Sequence, residues 1–348
     1  MTLIKVKSRG TDNVSGRRNL IINGGMQVAQ RGTSVSSLTA AGYKEGPDRF
    51  RRSMNQAGGL AVTRERLSND APEGFTYSLK ETVSVVSNEA STSWAWRMID
   101  YRIEGQDLQH LKFGTSNAKS VVFTFYVKSN KTGTASVVLY SYDASGNSRT
   151  NTRRYTINAA NTWEKKTLTF NGDTATAIRN SADMGFNILM HVGSGPARNV
   201  QDNTNWGVNE ANSAWYQCNL DVNNVNDFVM FAGLQLEIDT DSDFEHRSFA
   251  EELQLCQRYY AKSRNHDKYN GDSDRGGEVS FRGDKPGSAS MFQWYAFPVA
   301  MNHAPDITTE STAPDDISST LIGTKGFRAG YNSDGGHYAF YYYADAEI

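Results

Sequence analysis

The sequence predicts an all-β protein: an antiparallel jelly-roll sandwich, a linking α-helix, then a small C-terminal β-sandwich. Three observations predict it. Short runs of β-branched and aromatic residues, separated by turn signals, recur from Asn19 to about Phe244. The stretch DSDFEHRSFAEELQLCQRYY, Asp241 to Tyr260, breaks that pattern with helical spacing. A second series of short strands then runs from about Glu278 to Ala344. The expected domains are a basic arm over 1–20, a jelly roll over 21–246, the helix over 247–263 and the C-terminal sandwich over 264–348.

The arm carries Lys5, Lys7, Arg9, Arg17 and Arg18 against the single acid Asp12. A basic, flexible terminus of this kind suits docking on an acidic partner surface. Within the jelly roll, Ser120–Lys128 (SVVFTFYVK) reads as an apolar strand. The turn Lys131-Thr132-Gly133 makes Thr134–Tyr142 its expected hairpin partner. Arg153–Ile157, Trp163–Phe170, Phe186–Val192 and Asp227–Ile238 complete the set, with the mixed Trp163–Phe170 segment expected at an outer position. Glu104–Leu111 reads as one helical turn. In the helix, Ser248 and Glu251 form a capping box. Phe249, Leu253, Cys256 and Tyr260 fall on one stripe, predicting about four turns that end near Ser263. Strands at Glu278–Phe281, Ser290–Phe297, Ile307–Thr309, Thr320–Ile322, Phe327–Tyr331 and Tyr338–Ala344 build the C-terminal sandwich. At this size it is marginal alone, so oligomerisation is expected to support it.

Composition narrows the function. A net charge of -2 over 348 residues argues against general nucleic-acid binding. The mean hydropathy of -0.59 is polar, yet 16 Phe, 17 Tyr and 6 Trp supply core material. No apolar run is long enough for a membrane-spanning helix, and the first residues lack the apolar stretch of a secretory signal, so synthesis and retention in a host cytoplasm are expected. Cys218 and Cys256 give no disulfide framework. No GxSxG, HExxH or Walker pattern occurs, the six histidines are scattered, and no internal repeat is visible, so an enzyme is not expected.

Several segments resemble known proteins. NLIINGGMQVAQRG (Asn19–Gly32), Pro47-Asp48-Arg49-Phe50, the Asp241–Tyr260 stretch and the final YADAEI together resemble bacteriophage tail-fibre and related virion proteins. Gly25 stands where that group has Ala or Asn, and an acidic run precedes FEHR where a neutral link is usual. The run from Arg102 through Thr169 resembles family-9-type and related carbohydrate-binding modules, which are jelly rolls. The resemblance implies a structural virion protein, first a tail fibre or receptor-binding protein adhering to host surface glycan as a homotrimer. A head fibre or capsid decoration protein is the alternative, and a polysaccharide depolymerase ranks below both. The implied partners are other virion proteins and a host polysaccharide, with no nucleic acid and no membrane insertion. No cofactor is expected beyond a possible structural calcium.

Two sets of candidate ligand residues follow. Asp239, Asp241 and Asp243 alternate ahead of Glu245, and hard cations favour clustered carboxylates. The run fails the EF-hand register, with Phe244 at the glycine position and Ala250 at the bidentate one. For sugar, Trp206, Trp215 and Tyr216 with Asn205 and Asn209 sit in an amide-rich segment, where flat rings and hydrogen-bonding groups suit a saccharide. Trp94 and Trp96 read as core or inter-subunit packing, and the Tyr338–Tyr343 cluster as packing on both faces of a sheet.

Overall fold

The computed structural model describes residues 18–55, 59–86, 96–194, 205–208, 224–269, 271, 273, 276–283, 291–311, 318–331 and 336–348. In the first part the strands are β1 (Ser34–Leu38), β2 (Gly42–Tyr43), β3 (Arg51–Asn55), β4 (Ala61–Leu67), β5 (Ser78–Val85), β6 (Trp96–Glu104) and β7 (Val121–Ser129). They continue with β8 (Gly133–Tyr142), β9 (Ser148–Ile157), β10 (Glu164–Phe170), β11 (Met184–Ser194), β12 (Gly207–Val208) and β13 (Phe228–Ile238). They form a six-stranded sheet, β1-β4-β5-β13-β7-β10, and a seven-stranded sheet, β12-β9-β8-β11-β6-β3-β2. All pairings are antiparallel, which makes the expected jelly-roll sandwich.

Alternation along each strand builds the core. Phe123 and Phe125 of β7 and Phe231 and Leu236 of β13 meet Ile99 and Tyr101 of β6, Leu139 of β8 and Ile188 of β11. The interior also holds ions. Glu81 on β5 pairs with Arg64 on β4 at 2.7 Å and with Arg52 on the facing sheet, and all three are fully buried. Burial and the neighbouring Arg52 cation lower the Arg64 pKa to about 9.

The expected hairpin of β7 and β8 does not form. β7 pairs with β10 and β13, whereas β8 pairs with β9 and β11 in the other sheet. The Lys131–Gly133 turn therefore crosses the sandwich. Both strands are strongly apolar, and the crossing lets each press one face into the shared core. β10 sits at the edge of its sheet, as its mixed polarity predicted, and Gly105–Leu111 forms a 3-10 helix.

The helix α1 spans Phe249–Gln257, with Ser248 as its N-cap accepting from the Glu251 N–H. It is shorter than four turns. Tyr260–Lys262 forms strand β14, so the stripe that was expected to continue to Tyr260 is cut by strand pairing with the last strand of the fold. The C-terminal strands are β15 (Val279–Gly283), β16 (Met291–Ala296), β17 (Asp306–Ser311), β18 (Ser318–Gly323), β19 (Gly326–Tyr331) and β20 (Gly336–Asp345). β14 and β15 pair with successive stretches of β20, β17 pairs along it as well, and β16-β19-β18 form a second sheet. Phe340, Tyr342 and Ala344 of the first sheet face Phe327 and Ala329 of the second, which gives the small sandwich. On the opposite face of β20, Tyr341 lies under the Arg264 guanidinium, 3.4 Å from the ring centre, and the Tyr343 hydroxyl donates to Glu310 at 2.7 Å. β20 is thus packed on both faces.

Candidate functional site

The site grows from residues 19–33, a strap laid against the jelly roll. β5 pairs with β13 only as far as Phe231, and the register of β13 shifts between Ala232 and Gln235. The freed main-chain groups go to the strap. Leu20 donates to the Leu236 oxygen at 2.9 Å, Leu234 donates to the Gly24 oxygen at 3.0 Å, and the Asn19 side chain bonds both Leu234 and Leu236. Gly24 is required here: a Cβ would lie 2.0 Å from the Leu234 oxygen. Asn23, at φ 61, closes the next turn by bonding Val28 in both directions and donating to the Asp48 oxygen.

Charged side chains then tie three distant parts of the chain to the strap. Arg247 donates to the Ile21 and Asn19 oxygens and pairs with Glu245 at 2.9 Å and Glu252 at 3.1 Å. Gln30 donates from its side-chain amide to Asp48 Oδ2 and the Tyr260 oxygen, both at 2.8 Å, and its main-chain oxygen accepts from Lys262. Arg31 pairs with Asp345 at 3.0 Å and Glu347 at 3.4 Å, and Arg49 pairs with Glu347 while stacking on Tyr259. Arg258 and the Tyr259 hydroxyl both donate to Glu104. Burial works against the Arg31 charge, but Glu347, Asp345 and Asp48 outweigh it and hold the pKa above its ordinary value. Burial likewise pushes Glu104 upward, yet the bonds from Arg258 and Tyr259 leave it below the usual glutamate range. The four segments that carry the resemblance therefore meet in one buried ionic junction. Its charged groups pair with one another, so the junction joins the segments.

Two clefts open beside it. The strap separates them, with Gln27–Ala29 bordering one and Gln30–Arg31 the other. The first, about 440 Å³, has Tyr77 beneath Arg66, with Phe249 and His266 ring to ring at 5.0 Å. The second, about 500 Å³, presents Tyr43, Tyr260 and Tyr343 together with Arg31, Glu45 and Asp345. The Arg31 guanidinium lies 3.8 Å from the Tyr260 ring centre and 5.6 Å from that of Tyr43. Burial and the bond to Glu310, against a weaker opposing influence of Arg264, raise the Tyr343 pKa to about 12, so its hydroxyl stays protonated as a donor. Flat rings beside carboxylates, an amide and guanidinium groups can hold a polyhydroxylated ligand by stacking and hydrogen bonds.

The residues expected to bind sugar lie elsewhere. Trp206 packs edge-on against Phe113, with ring centres 5.5 Å apart, and its indole N–H donates to the Asn171 oxygen at 2.5 Å. It closes one end of the sandwich instead of forming a platform. Asn205 is exposed, and Asn209, Trp215 and Tyr216 lie outside the described residues. Trp94 and Cys218 also lie outside them, Trp96 opens β6, and Cys256 is buried as a free thiol.

The three candidate calcium ligands, Asp239, Asp241 and Asp243, lie in the loop that follows β13. Asp239 accepts from the Ser120 N–H at 2.9 Å and pairs with Lys119 at 3.1 Å. Asp241 pairs with Lys165 and accepts from Thr167, while Asp243 offers its main-chain oxygen to Arg18 and Gln235. The carboxylates of Asp239 and Asp241 have protein partners, the Asp243 side chain is exposed, and among the described residues no cluster of three potential ligands forms. The expectation for Arg18 is corrected. It folds onto this acidic loop, donating to Ser242 at 2.5 Å and lying 3.7 Å from Glu237. Lys5, Lys7, Arg9 and Arg17 lie outside the described residues. Sequence reasoning missed the clefts because their rings come from distant positions. The available signal was Gln27, Gln30 and Arg31 inside the MQVAQRG segment.

No family model matches the chain, and no curated protein matches it either. Among solved structures, the enzymatically active domain of tailspike protein 4 from bacteriophage CBA120 aligns at 13% identity with a TM-score of 0.34, over 63% of this chain and 21% of that one. A putative sugar-binding protein from Bacteroides thetaiotaomicron aligns at 14% identity with a TM-score of 0.35, over 64% and 100%. The C-terminal family 22 carbohydrate-binding module of Clostridium thermocellum Xyn10B aligns at 10% with a TM-score of 0.31, over 61% and 98%. Likeness at this level carries no functional argument.

Proposed function

We propose that this chain is a bacteriophage virion component of the tail-fibre or receptor-binding kind that adheres to host surface glycan. The observation that carries the reading is the cleft of about 500 Å³ in which three tyrosines converge beside Arg31, Glu45 and Asp345. The resemblance of the strap, FEHR and ADAEI segments to phage fibre proteins supports the virion assignment. Its role is adhesion and not catalysis, and three copies on one particle would turn weak single contacts into firm attachment. Location is tested by immunogold labelling of intact virions: gold at the tail supports the reading, and gold over the capsid replaces it with a decoration role. Adhesion is tested by binding of the purified full chain to host cells, with Tyr43→Ser as the cleft variant. A drop of roughly tenfold is expected for loss of one aromatic contact, and unchanged binding by a folded variant removes the cleft.

A further inference from the structure

The sheet β16-β19-β18 turns an aromatic face outward. Phe292 and Trp294 are two residues apart on β16, hence on one side of the strand, and each is 49% exposed. The next residue, Tyr295, points the other way, with its ring centre 5.3 Å from that of Phe340 in the core. Trp294 lies opposite Arg328 and Phe292 opposite Gly330 on β19, and Thr320 of β18 lies across from Arg328.

The indole packs over a glycine. A Cβ on Gly326 would come within 2.7 Å of Trp294 Cζ2 and 2.9 Å of its Cε2, so the ring covers that glycine while Trp294 stays half exposed. Arg328 sits 3.9 Å from the Phe292 ring centre and donates from Nε to the Thr320 hydroxyl at 3.1 Å. That bond fixes the guanidinium plane without neutralising it, and among the described residues no carboxylate pairs with Arg328. The other two described tryptophans with placed side chains spend their N–H groups on Asp70 and on the Asn171 oxygen. The Trp294 N–H has no acceptor among the described residues. Leu321, in the bulge that follows Thr320, is held at φ 48 with its side chain 67% exposed.

A second copy of the chain is a poor occupant for this face. Two half-exposed rings offer on the order of 200 Å², against about 800 Å² per partner in a stable interface. Their size suits one or two sugar rings. The polar groups at hand are a guanidinium, an indole N–H and a hydroxyl, so the face supplies donors and positive charge.

We infer that this shelf is a saccharide-binding site that stacks a sugar ring on Trp294 and Phe292 and takes an anionic substituent of that sugar on Arg328. It rests on the glycan-adhesion reading but lies on a different surface from the clefts. The test is affinity electrophoresis of the full chain in gels containing polygalacturonate, alginate, hyaluronate or neutral dextran. Wild type is retarded in at least one acidic gel and not in dextran. Trp294→Ala weakens that retardation roughly tenfold, Trp294→Phe restores most of it, and Arg328→Gln weakens it with a flatter salt dependence. Both rings are on the surface, so unchanged thermal unfolding is expected and verifies that each variant is folded. Equal migration of wild type and Trp294→Ala in every gel overturns the site. A lower sedimentation mass for Trp294→Ala overturns it too, because the shelf would then be a subunit contact. Loss of retardation in Tyr43→Ser with full retention in Trp294→Ala assigns the sugar to the cleft and removes the shelf alone.

Discussion

Removing the Arg247 guanidinium is the sharpest probe of the junction. Its side chain is 3% exposed and serves four acceptors: two strap carbonyls, Glu245 and Glu252. Arg247→Leu would leave the buried Glu252 carboxylate without its cation, holding only neutral donors such as the Asn23 N–H, and would free the Ile21 and Asn19 oxygens. Two bonds to carboxylates at about 1.5–3 kcal/mol each set the scale, and one-sided removal of a buried pair costs about 3–5 kcal/mol. A loss of about 3–5 kcal/mol is therefore expected in urea unfolding followed by circular dichroism, with hydrogen exchange rising first in residues 19–33. Glu252→Gln removes the stranded charge. In that background Arg247→Leu should cost less, with a coupling above about 1 kcal/mol. A loss under about 1 kcal/mol, or strict additivity of the two changes, would refute the clamp.

Three further outcomes are expected. Gly24→Ala places a Cβ 2.0 Å from the Leu234 oxygen, so the strap must withdraw and lose its bonds to β13; about 2–4 kcal/mol should be lost, and an unchanged denaturation midpoint would show that the strap is not seated there. Glu104, Glu245 and Asp227 are all held below their ordinary pKa despite burial, by Arg258 and Tyr259, by the Arg18 and Asn19 N–H groups, and by Lys131, respectively. Carboxylates of this kind give stability that is full above their unfolded pKa of about 4 and is lost as pH falls through the folded value; thermal scans from pH 7 to 2 should show a plateau and then a decline, and a gain on acidification would contradict these contacts. Millimolar calcium should leave the unfolding temperature unchanged, and Asp241→Asn should cost less than about 1 kcal/mol; a calcium-dependent rise would restore the metal reading.

The strands were legible because period-two patterning and turn residues are local. Ser120–Lys128 and Asp227–Ile238 match β7 and β13 to within a residue or two. Pairing was not legible, because Lys131-Thr132-Gly133 serves a hairpin and a crossing equally well and the choice is made by strands 45 to 117 residues away. Ser248 marked the start of α1 through its own side chain, whereas the end is imposed by β20, far along the chain. The residues of the acidic run invited a cation reading beside that of a solvated loop, because its partners, Lys119 and Lys165, are remote in sequence. The same holds for the clefts, since Tyr43, Tyr260 and Tyr343 are neighbours only after folding.

The Arg49–Glu347 pair has a consequence in time. The two residues are 298 positions apart. At roughly 5–20 residues per second, translation leaves Arg49 waiting for its carboxylate for about 15–60 s. Throughout that interval the jelly roll holds a cation with no counterion in a site shaped for burial. Segments 19–33 and 47–50 can reach their final state only after residue 347 has emerged, so a ribosome that stalls within β20 leaves residues 19–33 unlatched. The junction ties the final folding of residues 19–50 to the arrival of residues 345–347.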